Sequence, residues 1–374
     1  MFVNDFSKEE YGKIISDLVK ELDIRVPDIQ FDESVGKAAL EYYREQKWPA
    51  KMYELASNTV PPVALFLQIL YPYLDEKTRF FAAAECISLV TIDDFGEELG
   101  DALYNFEPNL TSGKPQGHPV LQTFADLIAN SRKYLGPYAS LRDTISNLQF
   151  IHTCIVERDF TDKLLPLNRN ALNFPNSLRG EAAGGYVYAA FAFPESRFPL
   201  DKYLHKYLPI LSDLSFYTSK VNDVLSFYKE TVYRDEQLIY VLNIARIHDI
   251  PVMDAIRRVY DEVVQYVKIV RHVLADEPEL LAAANAYIDG NVAWAFVNDA
   301  RHHLSDLPIY NDKGESIIKL YDGIKNKMMK AILSSQEFQN GEKQNGHKQN
   351  GHIYRNGDKQ NSESQNGDKN LVGI

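Results

Sequence analysis

Apolar residues recur at spacings of three and four through most of residues 1–335, a period that admits amphipathic helices and argues against strands. The pattern is clearest over 11–22, 79–92, 138–156, 200–233, 252–275 and 280–304. Strict apolar/polar alternation and Asn-Gly hairpin turns are missing from the same region. Pro61 and Pro62 are predicted to open a helix, and 107–119 and 164–175 read as loops. Because no linker divides the region, the expectation is one all-α domain over 1–335.

Residues 336–374 differ in kind. They cycle through QNGEK, QNGHK, QNGH and QNGDK with almost no apolar side chains, so they cannot offset the entropy of ordering and are expected to be a disordered tail. Their charges cancel, which leaves the formal net charge of −12 on the folded body. An acidic body without clustered Lys or Arg argues against nucleic-acid binding. A phosphorylated substrate stays open, provided that metal ions mediate its binding. No apolar run is long enough for a membrane span, and the start MFVNDFSKEEYGK carries acids where a secretory signal has basic residues, so a cytoplasmic protein is expected. The two cysteines, Cys86 and Cys154, are too few for a disulfide framework and are expected in the core.

Chemistry enters at Ile92-Asp93-Asp94-Phe95-Gly96-Glu97-Glu98. The preceding segment RFFAAAECISLVTI is apolar around most of its circumference, so a buried helix delivers these acids. At a spacing of i, i+4, Asp93 pairs with Glu97 and Asp94 with Glu98, each pair on one helical face. Four crowded carboxylates repel one another unless they are solvated or bind a hard cation such as Mg²⁺. Gly96, costly in a helix interior, fits a turn at the helix end.

The segment Asn222-Asp223-Val224-Leu225-Ser226-Phe227-Tyr228-Lys229-Glu230 places an amide, a hydroxyl and a carboxylate at i, i+4 and i+8. At about 100° per residue, these three oxygens form one stripe about 12 Å long. Asn and Ser are poor helix formers, so propensity does not account for them. A solvated polar face covers Asp223 and Lys229 but leaves the Asn, Ser, Glu stripe unexplained.

Asp93-Asp94-x-x-Glu97-Glu98 resembles the aspartate-rich motif of class I terpene cyclases, and Asn222-x-x-x-Ser226-x-x-x-Glu230 is similar to their second metal motif. Together with DARHHLSDLPIY near the end of the body, these runs resemble the fungal trichodiene synthase-like sesquiterpene synthase family. The resemblance implies a helical bundle around a central cavity, with three Mg²⁺ ions held between the motifs by Asp93, Glu97, Asn222, Ser226 and Glu230. It also implies ionisation of farnesyl diphosphate, loss of diphosphate, and cyclisation of the carbocation to a sesquiterpene hydrocarbon or alcohol. By analogy a homodimer is expected.

The same resemblance assigns basic residues. Arg179 matches the diphosphate-sensing arginine, with Ala182 and Ala183 following it at the Gly184-Gly185 break. Lys229 matches a diphosphate contact, and Arg301 matches the arginine that contacts diphosphate and pairs with Asp94. Asp93, Asp94, Arg179 and Arg301 are the expected catalytic set. His302 stands where the family usually has tyrosine; an imidazole can still donate to a phosphate oxygen, so substrate binding is expected to survive the exchange. Adjacent His302 and His303 diverge on a helix and do not suggest a zinc pair. For the cavity wall, Phe150 and Trp294 are the first candidates, with Phe66 and Phe81 behind them.

Two other readings remain open. The first is a cyclase for geranyl or geranylgeranyl diphosphate, decided by cavity depth. The second is a non-catalytic helical binding module with solvated acids, which must treat both polar stripes as accidents. Prenyl elongation fits less well, because elongating enzymes carry two aspartate-rich motifs.

Overall fold

The computed structural model describes residues 6–29, 31–182 and 185–330; the expected tail over 336–374 lies outside the described residues. Among the described residues every regular element is helical, and β-type pairing is limited to one isolated bridge between Tyr310 and Ser316. The all-α class read from the apolar period is therefore the observed one. Among the described residues no helix is long and apolar enough to cross a membrane.

The chain opens with α1 (Lys8–Glu21), α2 (Ser34–Glu45), α3 (Ala50–Leu70) and α4 (Glu76–Asp94), followed by the short α5 (Gly96–Leu99) and α6 (Phe106–Ser112). Next come α7 (Pro119–Asn130), α8 (Arg132–Leu164), α9 (Phe174–Ala182), α10 (Gly185–Phe191) and α11 (Leu200–Tyr207). The last group is α12 (Leu211–Tyr228), α13 (Tyr240–His248), α14 (Val252–Val273), α15 (Pro278–Val297) and α16 (Asp299–His302).

Local chemistry explains several boundaries. The Asp75 carboxylate caps α4 by accepting from the Thr78 N–H and hydroxyl, satisfying a donor that the first turn leaves orphaned. In α14, Val252, Ile256, Val259, Val263, Val267 and Val270 are all buried, one face at three- and four-residue spacing. Each such side chain contributes about 1.5–3 kcal/mol when taken fully from water. That face packs on α12, the helix of the Asn222 stripe.

Three predicted boundaries are corrected. Pro61 and Pro62 lie inside α3 and do not open it. Each removes one backbone hydrogen bond; Pro62 faces the central cavity, and buried neighbours hold the helix through the interruption. The segment 107–119 is not all loop, since α6 occupies its first half. The run 200–233 is four pieces: α11, a 3₁₀ turn at Leu208–Ile210 around Pro209, α12, and a π-helical turn over Lys229–Tyr233.

Close approach of helices depends on two glycines. A Cβ on Gly290 of α15 would lie 2.8 Å from the Leu70 Cα of α3. A Cβ on Gly185 of α10 would lie 2.8 Å from both the Ser215 carbonyl oxygen and the Ser215 Oγ of α12. Real Cβ atoms do not sit that near backbone, so these glycines set the spacing of helices that wall the cavity.

Candidate active site

A cavity of about 360 Å³ is lined by residues of α3, α4, α10, α12 and α15. Its wall includes the aromatic side chains Phe66, Tyr71, Tyr188, Tyr287 and Trp294. Phe66 and Trp294 meet edge to face, ring centroids 5.4 Å apart, an arrangement that fixes both rings. Cys86 also lines it, with Sγ 3.4 Å from the Tyr188 hydroxyl; Cys154 is buried as expected. Phe150 is not among the lining residues and instead packs, half-buried, on the core from α8. Phe81 is fully buried and stacks on Tyr134 at 5.0 Å.

Polar groups gather at the mouth. Asp93 and Asp94 end α4, but Phe95 leaves helical geometry at φ −113°, ψ 19°, and a separate short helix begins at Gly96. The expected shared faces are therefore broken, because the chain turns between the members of each pair. Glu97 sits across that break, exposed, with its charge felt by Arg158. Glu98 is drawn into an ion pair with Lys51, whose ammonium also lies over the Phe95 ring. Asp93 reaches the solvent of the mouth, yet desolvation raises its pKa, with Asp94 adding to the rise and Arg301, Arg234 and Lys229 opposing it.

Across the mouth, Asn222 of α12 and Glu230 of the π-helical turn line the opening, while Ser226 is fully buried between them. That turn is the extra-residue device that re-aims side chains at functional sites; the Arg234 N–H closes it on the Lys229 carbonyl at 3.1 Å. The Ser226 hydroxyl donates to Glu230 Oε1 at 2.7 Å, and the Lys229 ammonium lies 3.2 Å from the same oxygen. Lys229 is 6% exposed, so burial lowers its pKa against the pull of Glu230.

Neither Asp223 nor Lys229 belongs to a solvated face. Arg179 Nε lies 2.8 Å from Asp223 Oδ1 and 3.0 Å from Oδ2, while its Nη2 donates to the Ser219 carbonyl at 3.1 Å and to Asn222 Oδ1 at 3.2 Å. Burial pushes the Asp223 carboxyl up to about 6, with Arg179 restraining the rise. Ala182 follows on α9 beside this cluster; Ala183 and Gly184 lie outside the described residues. The Arg301 side chain lines the mouth and makes no hydrogen bond or ion pair with a described residue, so the expected pairing with Asp94 is not formed.

His302 is 3% exposed, and burial, then the nearby Lys229 and Arg301 charges, push its pKa down to about 3. It is therefore a neutral imidazole. Its Nδ1 is buried with no partner, and the ring bonds the Leu225 backbone. Two neighbouring cations and burial disfavour a third charge, so any hydrogen bond from His302 comes from the neutral ring. His303 turns away in left-handed geometry and stacks on Tyr233.

Two mouth carboxylates were absent from the motif reading. Glu157 of α8 is pushed up to about 7 by desolvation and by Asp93, against Arg179. Glu236 is returned to Glu230 by a 2.9 Å backbone bond from its N–H to the Glu230 carbonyl, and its pKa is also raised, by desolvation and then Glu230. Neither has a sequence signal: Glu157 is one acid among several in a charged helix end, and Glu236 follows a turn. Among the described residues no three His, Cys, Asp or Glu side chains converge on one point. Asp93, Asn222, Ser226, Glu230, Glu157 and Glu236 are nevertheless all oxygen donors, which suits Mg²⁺ and not a soft metal.

Comparison with known proteins agrees with this geometry. An (E)-beta farnesene synthase of Metarhizium brunneum is 26% identical over 305 residues, covering 82% of this chain and 92% of that protein. A trichodiene synthase of Gibberella zeae is 24% identical over 219 residues, 58% of this chain and 57% of its own length. Among solved structures, a linalool/nerolidol synthase from Streptomyces clavuligerus superposes with a TM-score of 0.55 at 13% identity, over 73% of this chain and 99% of that one. An a-eudesmol synthase does so at 0.51 and 14%, over 73% and 99%. At such identity these two show a shared fold. The profile of the trichodiene synthase family matches residues 82–334, well over half of the chain, and reaches from α4 past both motifs; the chain belongs to the trichodiene synthase family.

Proposed function

We propose that the protein is a sesquiterpene synthase that ionises farnesyl diphosphate, releases diphosphate, and cyclises the carbocation to a hydrocarbon or alcohol. The observation that carries this reading is the join of two environments: an aromatic cavity opens directly onto a mouth where Arg179, Lys229 and Arg301 stand among oxygen donors. The farnesyl chain length is supported by two relatives named for fifteen-carbon products.

In this reading Asp93, Asn222, Ser226 and Glu230 hold Mg²⁺, three ions in all, with Glu157 and Glu236 joining the set; Glu97 is the least favourably placed. Bound there, the metal supplies Lewis-acid stabilisation of charge developing on the diphosphate. Arg179, Lys229 and Arg301 are fixed donors for the same oxygens, and a buried or half-buried cation acts more strongly there than in water. Arg301 acts on the mouth carboxylates through its charge, which Asp93 feels. Below them, Phe66, Tyr188 and Trp294 exclude water and offer π faces to the cation. His302, neutral and buried, shapes the top of that wall.

Incubation of the full chain with geranyl, farnesyl and geranylgeranyl diphosphates, with and without Mg²⁺, tests the reading by gas chromatography with mass spectrometry. The expected result is Mg²⁺-dependent fifteen-carbon product from farnesyl diphosphate. No pyrophosphate release from any of the three would leave a non-catalytic helical module.

A further inference from the structure

Lys220 of α12 precedes Asn222 by two residues and points the other way, into the protein, where its side chain is 3% exposed. An ammonium group at that depth loses its hydration and is tolerated only when its donors are satisfied. All three donors are used, on three different helices. Nζ donates to Glu262 Oε2 of α14 at 2.5 Å, to Asn176 Oδ1 of α9 at 2.8 Å, and to the Tyr240 hydroxyl of α13. The Tyr240 hydroxyl in turn donates to Asn176 Oδ1 at 2.8 Å. The Asn176 amide oxygen is thus the point where two buried donors converge.

Asn176 and Arg179 are three residues apart on α9, so they share the face turned towards α12. A nine-residue helix has little stability of its own and takes its position from its contacts. Two polar ties hold this one to α12: Arg179 on Asp223, Ser219 and Asn222, and Asn176 on Lys220. In the function proposed above, Arg179 and Asn222 both have other work once diphosphate and Mg²⁺ arrive. Arg179 must then turn from the Asn222 oxygen towards the ligand, which loosens the first tie. The second tie uses no group assigned to metal or diphosphate.

We propose that Lys220 is a positioning residue for Arg179: through Asn176 it clamps α9 to α12, so that the guanidinium meets an incoming diphosphate from a fixed helix. The inference rests on the proposed function, because it needs Arg179 to contact diphosphate. A buried tie with no bearing on ligand binding is the competing account, and the two differ in whether the effect passes through Arg179.

The test uses the full chain, with Mg²⁺ and inorganic pyrophosphate as the probe, and titration calorimetry for the dissociation constant. Asn176→Ala cuts the link to α9 while leaving Lys220 with Glu262 and Tyr240. It is expected to weaken binding about tenfold, the scale of a lost hydrogen bond to a charged group. Asn176→Asp keeps an oxygen towards Lys220 and is expected to bind as the wild type does. In an Arg179→Ala background, Asn176→Ala is expected to have no further effect, since paired changes acting through one group do not add. Lys220→Met is expected to behave as Asn176→Ala does in both backgrounds. Wild-type affinity in Asn176→Ala, or an equal loss with and without Arg179, overturns the clamp and leaves the proposed function standing. If the wild type itself does not bind the probe, the proposed function fails first and the clamp falls with it.

Discussion

Glu157 gives the mouth a pH dependence that can be worked out in advance. Its pKa is pushed up to about 7 although the side chain is exposed, so at most about half of the metal-free molecules carry a proton on it at pH 7. A carboxylate must lose that proton before it takes a cation. The apparent affinity is lowered by the factor 1 + 10^(pKa − pH), roughly elevenfold at pH 6, twofold at pH 7 and negligibly at pH 8. From pH 6 to 8 this one group accounts for at most about tenfold; solvent reaching Glu157 at the mouth screens part of the interaction and reduces the figure. The sign follows from the raised pKa: binding strengthens as pH rises through 7. Calorimetric titration of Mg²⁺ plus pyrophosphate into wild type and Glu157→Gln, at pH 6, 7 and 8 in buffers of different ionisation enthalpy, yields affinity and proton release together. Because both proteins meet the same ligand, its own ionisation cancels in the comparison. The wild type should gain up to about tenfold more affinity than the variant over this range and release up to about half a proton more at pH 7. Identical pH profiles and proton counts would refute the reasoning.

Three further outcomes follow from the geometry. Glu85 and Asp143 are buried together, bridged by Asn147 Nδ2 at 2.6 Å and 3.2 Å, and burial followed by the Asp143 charge raises the Glu85 pKa well above its usual range. With a raised folded-state pKa, their stabilisation is complete below about pH 4 and declines as pH climbs through the folded value, by about 1.4 kcal/mol per unit of elevation. Glu85→Gln keeps the oxygen for Asn147 and should gain stability over the wild type in urea titrations between pH 5 and 8; parallel curves would count against the raised Glu85 pKa. Arg301→Ala should lower kcat/KM at least a hundredfold, the scale of a lost charge-stabilising donor, while His302→Tyr stays within about tenfold; a fully active Arg301→Ala breaks its assignment. Gly185→Ala should cost about 1–3 kcal/mol in thermal unfolding, because its Cβ meets the Ser215 backbone oxygen at 2.8 Å.

The helical class was legible because an apolar period of three to four needs nothing beyond the chain itself. The spacing of Asn222, Ser226 and Glu230 is local in sequence, but the π-helical turn that carries Glu230 is not marked by it. What sequence spacing did not reveal depends on contacts between elements. Phe95 ends α4 early, and Lys51 draws Glu98 aside, so an i, i+4 reading of four acids does not survive at a helix end. Asp223 looks like a surface acid until Arg179 arrives from 44 residues away to hold it. Glu157 and Glu236 join the mouth only through tertiary packing and a backbone bond after a turn. Phe150 and Trp294 were equal as aromatic residues in apolar runs, and only the orientation of α8 and α15 separates them.

The central claim is that the oxygen rows at the end of α4 and along α12 close on one set of metal ions beside a diphosphate. Crystals grown with Mn²⁺ and pyrophosphate, examined by anomalous scattering, measure this directly. The account predicts three metal peaks between Asp93 and the Asn222, Ser226, Glu230 stripe, with Arg179, Lys229 and Arg301 on the pyrophosphate oxygens. Metal peaks elsewhere, or none with pyrophosphate bound away from both rows, would contradict it.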